Sequence, residues 1–431
     1  MRIRSLLLVC SLVSALSLII PAYAQERPNG LFLTSPLGLS SGYDDNFVAG
    51  SRTLDDAVSI LTAPTIAWFT STHRSMFSVD YQAEFEIFAH NTNEDAWNHN
   101  ANVHFRHTFS PRWSIDGAES FLSTMDPTRS LMNSLLLLPR GRYTENSFYT
   151  RLAYRLDRKT LLSARFDNAY TNMDLPIDLE GRLNRVGIGA TLAIDHSFNS
   201  HHAISGSYSF LDVHPLDEVP GTINTTAHNV VLGYVYTVNP GLNVRASGGV
   251  TQSEQSSFTG SAAVDKKVGD VWLSAGYQRY LAFLGGLSPT ATPVAPVPFG
   301  TGFASNSIYQ VVAIRAWGHI TKRFGMEGNV QRALNGVTTD NRGIKSVILQ
   351  LRLDYKINDK VTFFTRTEFY GQNVSEFQNF PMSRRRYFAG LEFTLSRAPE
   401  LTDDPHRRKT APPDSPDADA DRGDGHPQED R

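Results

Sequence analysis

Only one cysteine, Cys10, occurs in 431 residues. No intrachain disulfide is available, so the fold must hold by packing or by a hydrogen-bonded sheet. Past the first 24 residues there is no run of 18 apolar residues, which excludes a helical membrane span. There is no basic excess: 40 Lys and Arg face 43 Asp and Glu, and the formal net charge is −3. Such a balance leaves no electrostatic footprint for nucleic acid. Windows with helical spacing of apolar residues are nearly absent. The chain also lacks a phosphate-binding loop, a Gly-x-Ser-x-Gly turn, a His-Glu-x-x-His helix, a haem attachment site and zinc-ligand spacing. No cofactor is expected, and no enzyme; a hydrolase with catalytic residues scattered over separate strands is the alternative.

What is present begins with "MRIRSLLLVCSLVSALSLIIPAYA". Arg2 and Arg4 precede an apolar stretch that ends in Ala22-Tyr23-Ala24, the layout of a signal peptide over 1–24. An uncleaved anchor is the competing reading. Cys10 follows Val9 rather than a small residue, which speaks against lipid attachment. Cleavage after Ala24 removes Arg2 and Arg4 and leaves a cysteine-free chain of net charge −5.

The rest is dominated by alternation. In "FSVDYQAEFEIF" (77–88), Phe77, Val79, Tyr81, Phe85 and Ile87 take one face, and Asp80, Glu84 and Glu86 the other. "VILQLRLDYKI" (347–357), "RVGIGATLAID" (185–195), "FYTRLAYRL" (148–156) and "YFAGLEFTL" (387–395) repeat the pattern. Period two over roughly ten residues is a strand signature. Short polar breaks such as "SPR", "DRK", "NPG", "TKR" and "NDK" alternate with longer connections, so each hairpin takes roughly 40 residues. About 18 strands result, with 16 as the alternative. An even number of amphipathic strands, short turns at one rim and long loops at the other describe a transmembrane antiparallel up-and-down β-barrel. A soluble β-sandwich would reverse the sense, with oily faces inward. The expected layout is a signal (1–24), a periplasmic lead-in (25–35), the barrel (36–396) and a polar disordered tail (397–431). Tryptophans near strand ends, among them Trp68, Trp113, Trp272 and Trp317, are expected to form an interfacial girdle.

In such a barrel the charged set lines the lumen. The expected pore-lining residues are Asp80, Glu84, Glu86, Arg106, Arg151, Arg155, Arg165, Asp167, Arg352, Asp354, Arg366 and Glu368. They would prop the wall as cross-strand pairs, or set a transverse field that selects solutes. Two connections, 126–142 with Leu135 to Leu138 and the Pro-rich 285–304, are candidates for narrowing the mouth. Asp44 and Asp45 form a weak candidate calcium site; the same residues are good turn formers.

Two stretches carry a resemblance. "SSGYDDNFVAG" (40–50) is similar, through Gly42, Tyr43, Asp44, Asp45 and Asn46, to the first-strand signature of the outer-membrane β-barrel porin group found beside exopolysaccharide operons. "FAGLEFTL" (388–395) resembles the last-strand assembly signal of outer-membrane barrels through Gly390, Phe393 and Leu395, with Phe388 in the usual polar position. The resemblance implies a channel in the outer membrane of a Gram-negative bacterium. Its partners would be outer-membrane lipid and the barrel-assembly machinery, and its cargo polysaccharide or small polar solutes. A structural or accessory barrel of a secretion system is the alternative. The sequence sets no oligomeric state.

Overall fold

The computed structural model describes residues 29–34, 37–48, 54–126, 140–174, 184–216, 224–253, 256–282, 307–336, 344–373 and 381–395. Twenty strand segments form one sheet. β1 (Gly30–Thr34) and β2 (Leu37–Asp44) are two parts of one stave, and β3 (Asp56–Thr62) and β4 (Thr65–Ser71) are two parts of the next. Sixteen unbroken staves follow: β5 (Ser75–Phe88), β6 (Ala96–Thr108), β7 (Trp113–Thr124), β8 (Arg142–Arg155), β9 (Thr160–Asp174), β10 (Arg185–Ser197), β11 (His202–Pro215), β12 (Thr225–Asn239), β13 (Leu242–Gln252), β14 (Ser256–Val268), β15 (Val271–Ala282), β16 (Ser307–His319), β17 (Phe324–Gly336), β18 (Ile344–Lys356), β19 (Val361–Asn373) and β20 (Pro381–Phe393). Each pairs antiparallel with its sequence neighbour, and β20 also pairs with β2, from Leu37↔Phe393 to Asp44↔Arg386. The sheet closes on itself as an 18-stave barrel with no free edge.

The first stave starts at Gly30, within the segment expected as a lead-in (25–35); Leu31 and Leu33 pair with Trp68 and Ile66 and belong to the wall. The signal (1–24) and the tail (397–431) lie outside the described residues. The second stave breaks at Ala63–Pro64. Val58 and Ile60 are buried and face in, yet Ile66 and Trp68, also at even positions, are exposed and face out. One residue of register is absorbed at the break, and Pro64, which has no N–H, sits where a ladder bond is missing.

Local chemistry explains the short turns. Asp157, Asn199, Asn239 and Asn358 each accept a backbone N–H two residues on, from Lys159, His201, Gly241 and Lys360. The hydroxyls of Thr72, Ser110 and Thr321 do the same for Arg74, Arg112 and Arg323. These side chains mimic a turn of backbone and fix the hairpin register.

The outer surface is apolar. Leu192, Leu232, Ile314, Val330, Leu349 and Phe363 are exposed there, one after another around the wall. Trp68, Trp97, Phe109, Trp113 and Tyr236 stand toward its two rims. Outward tyrosines pair with histidines, Tyr81 with His99, Tyr208 with His228 and Tyr234 with His202, at 2.8, 2.8 and 2.6 Å. Apolar area on that scale calls for an apolar surrounding, as the hydrocarbon of a bilayer supplies for a barrel. Trp272 and Trp317 depart from the expected girdle. They stack on each other, 6.4 Å between centroids, in step with Ser274 and Arg315 on the inward set. Their expected place assumed that a tryptophan near a strand end faces lipid; alternation from the neighbouring residues puts these two on the lumen side.

Candidate functional site

All twelve residues expected to line the pore fall on the inward set of their strands, opposite in parity to the exposed apolar residues. They divide into two populations.

The first is half exposed and paired along the wall. Arg151 donates to Asp116 from Nε and Nη2, at 3.0 and 2.9 Å. Asp116 also stands in register with Arg106. Arg165 grips Asp167 two residues on, with Nε to both carboxylate oxygens at 2.8 and 3.0 Å, and its guanidinium lies 4.3 Å over the Tyr149 ring. Arg352 reaches Asp354 at 2.9 Å and Glu392 at 2.7 Å, and covers Phe364. Arg245 pairs with Asp265. Asp80 accepts from Asn102 at 2.8 Å, and Glu84 from Thr62 and Asn98 at 3.4 and 3.5 Å. Arg155 ends β8 at the short-turn rim and is exposed. Residues two apart on one strand face the same way, which is why the pairs 165/167 and 352/354 form without crossing a strand.

The second population is sealed. Arg384 and Arg386 are each 1% exposed. Arg384 bonds Asp44 through Nε at 3.1 Å to both carboxylate oxygens and through Nη2 at 2.7 Å; it also holds Asp126 through Nη1 and Nη2 at 3.0 and 2.9 Å. Arg386 stands 3.2 Å from Asp44, 3.4 Å from Asp126 and 3.3 Å from Glu368, which also takes Arg366 at 3.3 Å. Beside this cluster Arg140 donates to Glu86 at 2.9 Å, to the Glu94 side chain at 3.2 Å and to the Glu94 carbonyl at 2.8 Å, with its guanidinium 4.7 Å over Phe88. Phe47, Val58, Ile60, Phe88 and Phe388 pack together on the same stretch of inner wall.

Glu86 and Glu368 therefore do not meet water as expected: both are 1% exposed, because arginines cover them. The calcium reading of Asp44 and Asp45 is also overturned. Asp44 points inward into Arg384 and Arg386, while Asp45 accepts the Arg385 N–H at 2.6 Å. The two carboxylates serve different cations on opposite sides of the strand. Among the described residues no group of His, Cys, Asp and Glu is arranged to hold a metal ion.

The motif Gly42–Asn46 is the closing seam. Gly42 lies in register with Phe388, and a Cβ there would collide with the Tyr387 carbonyl oxygen and the Phe388 ring. Glycine thus lets the ring lie across the joint between first and last staves. Gly390 does the same opposite Ser40, whose Cβ would stand 2.6 Å from an added methyl. Tyr43 faces out and donates to Asp55 at 2.7 Å. Asn46 donates to the Ser383 carbonyl at 2.9 Å. Residues 42–46 and 383–388 are one latch.

The latch also fixes a connection. Asp126 and Arg140 are the two ends of the segment joining β7 to β8; Gly141 N–H bonds the Met125 carbonyl, and Arg140 N–H bonds the Val48 carbonyl. Asp126 leaves β7, the fifth stave, and meets Arg384 on the eighteenth, so this stem crosses a chord inside the wall. Burial alone would raise the Asp126 carboxyl, but Arg384 and Arg386 outweigh it and hold it below the ordinary carboxylate range. The expected constricting segments themselves, Leu135 to Leu138 and 285–304, lie outside the described residues. Sequence reasoning missed Asp126, Arg140, Arg384, Arg386, Asp116 and Glu392. A signal existed for two of them: Arg384 and Arg386 alternate with the outward Arg385, Tyr387 and Leu391.

No protein-family model matches the sequence, and no curated protein matches it. Among solved structures the chain is similar to OccAB4 of Acinetobacter baumannii, with 10% identity and a TM-score of 0.46 over 86% of this chain and 99% of that one. It is similar to OpdO of Pseudomonas aeruginosa, with 11% identity and a TM-score of 0.46 over 84% and 97%. It is also similar to a BenF-like porin of Pseudomonas fluorescens Pf-5, with 10% identity and a TM-score of 0.45 over 85% and 98%.

Proposed function

We propose that the protein is an outer-membrane channel for passive passage of small polar solutes, with no catalytic step. One observation carries the reading: a closed barrel with apolar side chains outside and half-exposed ion pairs inside. Lipid admits no open sheet edge, and a polar interior of this width holds water unless something plugs it. The long-connection rim would face the cell exterior and the short turns the periplasm. Solute choice would follow from the wall: carboxylates and guanidiniums side by side, which orient dipolar molecules without demanding net charge. The motif Gly42–Asn46 supports a place in the exopolysaccharide-associated group, and Gly390, Phe393 and Leu395 support assembly as an outer-membrane barrel.

The decisive experiment is single-channel recording of refolded protein in planar bilayers. Discrete conductance steps support a channel. A folded barrel that inserts yet passes no current would favour the accessory role and sink this reading.

A further inference from the structure

We infer that the outward face of β7–β9 is a contact surface for a second copy of this chain, centred on Glu119. The inference rests on the membrane reading above. Glu119 shares parity with the outward Trp113 and Phe121 and is exposed. It lies midway along β7, in register with Val103 and Phe148, which are themselves midway along β6 and β8. In a bilayer that position is near the centre of the hydrocarbon. An ionisable group there is costly to leave against lipid and usually marks a function or a partner.

The surroundings differ from those on β18, across the barrel. Asn146 on β8 donates to Glu119 at 2.9 Å, and Thr144 and Thr150 share its outward face. Asn168 faces out on β9, one stave further, in register with Phe148. Across the barrel the outward set of β18 reads Val347, Leu349, Leu351, Leu353 and Tyr355, with no polar group between them other than the tyrosine hydroxyl. Outward-facing cations do occur there: Arg279, Arg332, Lys345 and Arg385. They stand nearer the long-connection ends of their strands, where water and headgroups reach them.

That distribution selects the occupant. A two-fold axis along the membrane normal keeps every residue at its own depth and brings a patch onto itself. The patch carries an acceptor, Glu119, beside the Thr150 hydroxyl and the amides of Asn146 and Asn168. Within one copy Asn146 serves Glu119 at 2.9 Å and Asn168 the Gly187 carbonyl at 3.4 Å. Each amide has a second N–H with which two copies can exchange hydrogen bonds at mid-depth. A head-to-tail contact with the face centred on β18 would leave Glu119 against aliphatic side chains. A second copy related by that axis satisfies the carboxyl where lipid cannot.

The test uses full-length protein in native membranes, in a Cys10→Ala background. Thr150→Cys places a thiol in the patch, and Leu351→Cys places one on the far face as a control. After membrane fractionation, copper-phenanthroline oxidation and mass analysis, Thr150→Cys should give a species of twice the chain mass. Leu351→Cys should give none. Adding Glu119→Leu, which only makes the lipid face more apolar and so leaves folding intact, should cut the Thr150→Cys dimer yield several-fold. Membrane-bound protein that stays monomeric, equal cross-linking at both sites, or an adduct with a different protein would each overturn the inference while leaving the barrel in its membrane. Recovery in the soluble fraction would overturn the membrane reading itself.

Discussion

Two sets of ion pairs share one lumen, and their chemistry is the same: arginine against aspartate or glutamate. At the seam Arg384, Arg386, Asp44, Asp126 and Glu368 are shut away from water, and Arg140 with Glu86 lies beside them. Along the open wall Arg151, Arg165 and Arg352 keep about a third of their side-chain surface, with Asp116, Asp167 and Asp354 as partners. Burial, not residue type, separates a structural joint from a lining. Buried charges hold together because each cation is shared among several acids; removing one partner leaves the others stranded. Half-exposed pairs are screened, and their loss barely touches stability. What they offer is a local field in a narrow aqueous space.

The largest effect is therefore expected at the joint. Arg384→Met leaves Asp44 and Asp126 buried without their main donor, at a cost of about 3–5 kcal/mol. A urea unfolding series on the detergent-folded barrel, read by heat-modifiable gel migration, should show a clear fall in midpoint. An unchanged midpoint would remove the seam cluster from the account of stability. The pair Asp44→Leu with Arg384→Leu should be milder than Arg384→Met alone, since one buried carboxylate instead of two loses its main donor and Asp126 keeps Arg386 at 3.4 Å.

Next comes the tie between the joint and the β7–β8 connection. Arg140→Gln breaks the link to Glu86 and Glu94, and Asp126→Asn weakens the link to Arg384. Both variants should still close the barrel, because β2 and β20 keep their full ladder. Unitary conductance in planar bilayers should change, and current noise rise, if the anchored stem shapes the passage. Identical traces would confine the stem to a structural role.

How much of this could be read beforehand is instructive. Period two gave strand after strand, because a barrel wall tolerates no other spacing when one side is oily and the other wet. The same parity placed all twelve charged residues inward. It could not say which would be sealed, since that depends on contacts between residues such as Asp126 and Arg384, 258 positions apart. The Asp-Asp-Asn run of 44–46 looked like a cation site for the same reason: its arginine partners stand at the opposite end of the chain. Gly42 carried a visible signal, but its purpose, room for Phe388, appears only when first and last staves meet.

A smaller, sharper difference is expected between two neighbouring carboxylates. Glu84→Gln should move the reversal potential under a salt gradient toward anion preference, because Glu84 is only partly buried, on the inward set of β5. Glu86→Gln should leave selectivity nearly unchanged and lower stability instead, because Arg140 covers it. Equal shifts in reversal potential from both variants would erase the distinction between lining and joint at this strand.

The smallest effect is a predicted insensitivity to moderate acid. Asp126 titrates lower in the folded barrel than in the unfolded chain, because Arg384 and Arg386 outweigh the burial that opposes them. A depressed folded value stabilises the fold wherever the unfolded carboxylate is ionised, that is above about pH 4. The contribution declines only as pH falls below that and through the folded value. Conductance and unfolding midpoint should therefore hold between pH 7 and about pH 4 as far as Asp126 is concerned. Asp126→Asn should remove the acid-dependent part of the loss below that range. If the wild-type midpoint falls steeply between pH 7 and 5, and Asp126→Asn abolishes the fall, then Asp126 is not held by the two arginines and the latch is built on the wrong pair.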